Sequence, residues 1–169
     1  MRFPALATRI TAWFTKASLS LPRRSRLRQR LITLATWRAF NALSRGDVDL
    51  VRTITHSEAI WDLSRWDWPE DSLYHGRDGA VLFNEHFHSQ FSELSFDVVA
   101  VEELDHGAVF IHVRQRGIGR ASGADVERDV FELVWMRDGL VWRGMMLPSR
   151  TEAIAAGKAP YGASESSRV

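Results

Sequence analysis

No cysteine occurs among the 169 residues, which rules out a disulfide framework, a thiolate metal site and a cysteine nucleophile. That absence suits a reducing compartment, and a cytoplasmic protein is expected. No stretch approaches the roughly 18 uncharged apolar residues of a membrane-spanning helix. A secretory signal is not expected either, because Arg9 and Lys16 interrupt the N-terminal apolar stretch before it reaches about 7 to 15 residues. Acidic residues are missing from the first 46 positions, which hold ten of the 22 Lys/Arg and none of the 21 Asp/Glu. The net charge of +1 therefore conceals a basic head on an acidic body. His-Glu-x-x-His, a nucleophile elbow and a phosphate loop are also absent, so neither a metal nor a cofactor is expected.

Within the head, Leu6, Ile10, Trp13, Phe14 and Ala17 recur at helical spacing, with Arg9 and Lys16 off that stripe. The first reading is a solvated extension, or one paired with the acidic body. The alternative is a peripheral membrane contact by residues 1–22 through an interfacial helix. An Arg-rich, acid-poor head also fits an organelle transit peptide. Nucleic acid is not expected as a partner, since residues 23–30 carry no interleaved aromatics for base stacking.

What is present divides the chain into a basic amphipathic extension at 1–25, one domain at 26–157 and a polar tail at 158–169. The 45% hydrophobic and 25% charged composition is that of a soluble globular domain. Periodicity predicts a helix over 27–43 stopped by Gly46, then a short helix over 48–54 capped by Asp47. A strand is predicted over 57–64, followed by an irregular, tryptophan-rich segment at 65–69. Asp78 is expected to cap a further helix over 79–91. The remainder predicts strands at 96–103, 108–118, 126–136 and 140–147, because these runs are β-branched and aromatic and separated by turn residues. Asp138-Gly139 signals a two-residue hairpin and Ser122-Gly123 a longer one, so the last three strands should form an antiparallel meander. Ser149 with Glu152 opens a last short helix.

Six motifs in this order carry a resemblance: Gly46-Asp47-x-Asp49, Trp61-Asp62-Leu63-Ser64, Tyr74-His75-Gly76-Arg77-Asp78-Gly79, Arg114-Gln115-Arg116-Gly117-x-Gly119, Ser122-Gly123 and Trp135-Met136-Arg137-Asp138-Gly139. Over about residues 26–156 the chain resembles the SnoaL-like, polyketide cyclase-like branch of the nuclear transport factor 2-like superfamily. The resemblance implies an α+β cone, with a curved, mostly antiparallel sheet wrapped around three N-terminal helices. It also implies a hydrophobic pocket, often in a homodimer packed through the sheet. Enzymes of this kind include cyclases, isomerases, dehydratases and hydrolases, and other members only bind. Fold alone does not choose among these. Superposing the Gly-Asp-x-Asp run on the steroid isomerases puts their base on Leu63 and their helical Tyr on Ala39. Neither residue can do that chemistry, which argues against steroid-type isomerisation.

Asp62 is the leading candidate for a general base, since a carboxylate between Trp61 and Leu63 near a pocket mouth can be desolvated. The alternative is a solvated strand-end Asp. Glu132 alternates with Val130 and Val134, which puts it inside the cone if that face is concave. A buried charge needs a partner, and Arg114 on the neighbouring strand is the candidate; together they would orient a substrate or form a structural ion pair. His86 is a candidate acid or second base, against the reading of a boundary histidine. His86 and His88 do not share a helical face, which makes them poor chelators. Trp61, Tyr74, Phe131 and Trp135, among the many aromatics, could line the pocket or simply pack the core. The expected function is cofactor-independent acid/base chemistry on a small hydrophobic carbonyl compound. The alternative is a non-catalytic ligand-binding or dimerisation module.

Overall fold

The computed structural model describes residues 21–22, 25–68 and 71–158. The amphipathic segment at 6–17 and the tail beyond 158 lie outside the described residues. Helix α1, Arg26–Ser44, carries Ile32, Ala35, Thr36, Ala39, Phe40 and Leu43 inward. Those spacings of three and four make one apolar stripe, and Leu34 and Trp37 stay exposed on the opposite side. Helix α2, Val48–Ile54, opens with the Asp47 carboxylate accepting from the Leu50 amide at 3.0 Å. Asp47→Ala should cost about 1 kcal/mol by leaving that donor open. Urea unfolding checks this, and an unchanged midpoint would show the cap to be idle.

The strands are β1, Thr55–Asp62, β2, Leu73–His75, β3, Phe91–Glu103, β4, Ala108–Gly119, β5, Asp125–Arg137, and β6, Leu140–Leu147. Helix α3, Gly76–Ser89, separates β2 from β3, and helix α4, Arg150–Gly157, follows β6. They form one six-stranded sheet in the order β2-β1-β6-β5-β4-β3. Every pairing is antiparallel except β1 with β6, which is parallel. The β5–β6 hairpin turns on Asp138 and Gly139, whose φ values of 53° and 79° are those a type I′ turn demands.

Several boundaries differ from the sequence reading. Strand β1 starts at Thr55, directly after α2, and ends at Asp62, where the Leu63 amide turns to the Ser72 carbonyl. The short strand β2 was not expected; it pairs Tyr74 with Trp61. Helix α3 begins at Gly76, where φ is +65° and a Cβ would meet the Ser57 carbonyl, so the chain can swing from strand into helix there. Asp78 consequently sits in the first turn and pairs with Arg52 at 2.6 Å instead of capping. Strand β3 begins at Phe91, because β4 runs to Gly119 and supplies it with a partner.

Alternation along β4 and β5 builds two cores. Val109, Ile111, Val113, Val130 and Val134 face the helices, while Phe110, Leu133 and Trp135 face the other way, where α4 covers them with Ala153. Among the described residues no helix is long and apolar enough to cross a membrane.

Candidate functional site

Helices α1, α2 and α3 and the concave face of the sheet line a partly open cavity of about 160 Å³. A void of about 150 Å³ lined by apolar side chains holds benzene. The space therefore suits a ring-sized molecule and is smaller than the roughly 300 Å³ of drug-sized pockets. Phe40, Phe83, Phe87 and Trp61 form much of its wall. The Trp61 indole lies against the backbone of its strand partner Gly144, where any Cβ would overlap the ring. Gly144 thus sets how close Trp61 sits to the sheet.

Glu132 is the one ionisable side chain among the lining residues. It stands on β5 between Ile111 of β4 and Met146 of β6, all facing the helices. The residue is 4% exposed, and no hydrogen bond or ion pair reaches its carboxyl among the described residues. Burial without a compensating charge pushes its pKa up to about 8. Near pH 7 the group is mostly the neutral acid, a donor facing apolar space. Two further polar groups in the wall lack partners: Asn84 Oδ1 on α3 and Trp61 Nε1 on β1. Buried polar atoms are rarely left unpaired. Glu132, Asn84 and Trp61 thus stand in one otherwise largely apolar wall.

The structure distributes the other candidates differently. Arg114 does not meet Glu132. It lies on the outer face, 3.2 Å from Asp129 and 3.7 Å from Glu127, because Arg114 pairs with Asp129 while Glu132 pairs with Ile111. Positions an odd number of residues apart on a strand face opposite sides. For the same reason Phe131 and Trp135 are not in the cavity wall. Phe131 stacks with Phe110 and with the His112 ring, and Trp135 is buried beneath α4.

Asp62 alternates away from Trp61 and caps the turn after β1, accepting from the Ser64 amide at 2.8 Å. His86 lies outside the lining residues and places Nδ1 3.1 Å from Tyr74 Oη. Tyr74, 2% exposed, also accepts from Trp68 Nε1 at 3.0 Å, so it anchors the tryptophan segment behind the cavity wall. Trp61 and Glu132 are the two sequence candidates that reach the cavity. Asn84 was missed, although its spacing from Ala80 and Phe87 puts it on the inward face of α3.

Residues 37–144 match the family model of the SnoaL-like domain. No match was found among curated proteins. A hypothetical protein of ketosteroid isomerase-like fold from Catenulispora acidiphila, solved with trimethylamine, superposes with a TM-score of 0.57 at 10% identity, covering 72% of this chain and 89% of its own. A protein described as a SnoaL-like polyketide cyclase from Jannaschia gives a TM-score of 0.56 at 18% identity, over 74% and 90% of the two chains. TerC, co-crystallised with polyporic acid, gives 0.56 at 13% identity, over 72% and 93%. At such identities the likeness establishes the fold alone, an α+β cone. With the family model spanning α1 to β6, the chain belongs to the SnoaL-like domain family.

Proposed function

We propose that the protein takes up a ring-sized, largely apolar carbonyl compound and that neutral Glu132 hydrogen-bonds its carbonyl oxygen, so that a solvent base removes a proton from the adjacent carbon and the resulting enolate takes one back from solvent. The observation that carries this reading is the buried, unpartnered Glu132 carboxyl in the cavity wall, where burial pushes its pKa up to about 8. A donor held in apolar surroundings polarises a carbonyl more than water does, because the low local dielectric strengthens the bond. A carboxyl poised near neutrality can also accept a proton in its ionised fraction. Glu132 here takes the part that the sequence reading gave to Asp62 and His86. One observation favours a second reading, the non-catalytic binding module: no other ionisable side chain lines the cavity to work beside Glu132.

Incubating 4-phenyl-2-butanone with the protein in D2O, with α-proton exchange followed by NMR, separates the two. The catalytic reading expects exchange above the buffer rate and a loss of roughly 100-fold in Glu132→Gln, within the ordinary range for a general acid or base. Saturable binding without exchange would sink catalysis on such ketones and favour the binding module. Ketone affinity should also fall as pH rises through about 8, as the donor ionises.

A further inference from the structure

Beyond the cavity, the concave face continues by one more layer toward the tryptophan segment. Gln115 and Arg128 are cross-strand partners two positions beyond the Val113–Val130 pair that lines the cavity. Gln115 is fully buried, and its Oε1 accepts from Arg128 Nε at 2.8 Å. Its Nε2 has no partner. The Arg128 guanidinium lies over the Trp66 ring at 4.4 Å and stands 6.0 Å from the ring of Phe87, which belongs to the cavity wall. Stacking occupies the face of a guanidinium and leaves its edge donors open. Neither Nη group of Arg128 has a hydrogen-bond partner among the described residues. Burial depresses the Arg128 pKa, and the nearby Asp67 opposes that shift only in part. The guanidinium edge of Arg128 and the buried Gln115 amide thus keep donors to spare side by side on the concave face, with the Asp67 carboxylate the nearby counter-charge.

We propose that Arg128 and Gln115 form a carboxylate subsite, so that the ligand is an aryl or similarly compact acid whose anionic group rests there while its apolar body fills the cavity. This rests on the cavity being a ligand site, as argued above. The planar fork of an arginine matches a carboxylate edge to edge, and the Gln115 amide adds a third donor. Arg128 and Glu132 lie four residues apart on one face of β5, roughly 13 Å between Cα atoms at the usual rise. A ring with a short acid arm spans that interval.

The test compares 4-phenylbutanoate with its methyl ester by titration calorimetry on the full chain. The acid should bind roughly tenfold or more tightly than the ester, as a charge-assisted hydrogen bond warrants, and Arg128→Met should abolish that preference while ester binding persists. Gln115→Met should reduce it partly. An acid that binds no better than its ester, a preference that survives Arg128→Met, or no binding of either compound would overturn the subsite. Should Arg128→Met fail to fold, Arg128→Lys keeps the charge without the fork, and a fully retained preference there would be equally fatal. Neither probe carries a ketone, so an acid preference without any Glu132-dependent ketone chemistry would sink the earlier reading and leave this one standing.

Discussion

Glu132→Gln should make the protein more stable at pH 9 by about 3 to 5 kcal/mol, with little change near pH 4.5. The sign follows from which state holds the proton. The folded pKa is about 8 against an ordinary value of 4.5, so between these limits the folded state keeps a proton that the unfolded state has lost. Stability then falls as pH rises, by about 1.4 kcal/mol per pH unit, until the folded carboxyl ionises as well. Below pH 4.5 both states are protonated and nothing is lost. A glutamine is neutral throughout and has no such slope. Urea unfolding across this range checks the difference, which corresponds to roughly 10 °C in Tm for a domain of this size. Parallel pH profiles for wild type and variant would show that the carboxyl is not held in apolar surroundings. A group that weakens the fold at working pH is a common mark of a functional position.

Glu103→Ala should cost about 3 to 5 kcal/mol, the usual penalty for breaking a buried ion pair by removing one partner. Arg28, in the first turn of α1, donates Nε and one Nη to the two Glu103 carboxylate oxygens at 2.8 and 2.7 Å, and the two side chains are 6% and 7% exposed. The other Nη reaches the Leu21 carbonyl at 2.8 Å. Removing the carboxylate takes the acceptors from two donors of a buried guanidinium. Joint replacement by Arg28→Met and Glu103→Leu should recover most of the loss, because two apolar side chains need no partner. A Glu103→Ala loss below about 1 kcal/mol would count against a dry pair. The pair also matters to the site: it pins α1 across the end of β3, and α1 supplies Ile32 to Leu43 of the cavity wall.

Much of this architecture was legible because local chemistry and tertiary placement agree. Asp47 caps, Asp138-Gly139 turns, and the β4, β5 and β6 runs pair as their composition suggests. Glu132 was legible from alternation with Val130 and Val134. Arg114 could have been excluded by the same reasoning. Ile111 stands opposite Glu132, and Arg114, three residues further along β4, faces the other way. What no local pattern shows is the join of β1 to β6, since parallel pairing leaves no turn to read. Trp61 could therefore be named as an aromatic but not placed against Gly144. Arg128 was hidden for another reason. Its partners Trp66 and Phe87 come from a loop and a helix far away in sequence, and only the closed cone brings them together.

The parallel join also sets an order of events. Antiparallel neighbours such as β5 and β6 can zip from their shared turn, whereas β1 must wait for a strand that begins 78 residues after β1 ends, at Leu140. Contacts of such sequence separation form slowly. During synthesis the N-terminal half would emerge with its tryptophan edge uncommitted. Burial of the Trp61 indole would then report the closing step of folding, and the chamber around Glu132 would be the last part of the protein to exist.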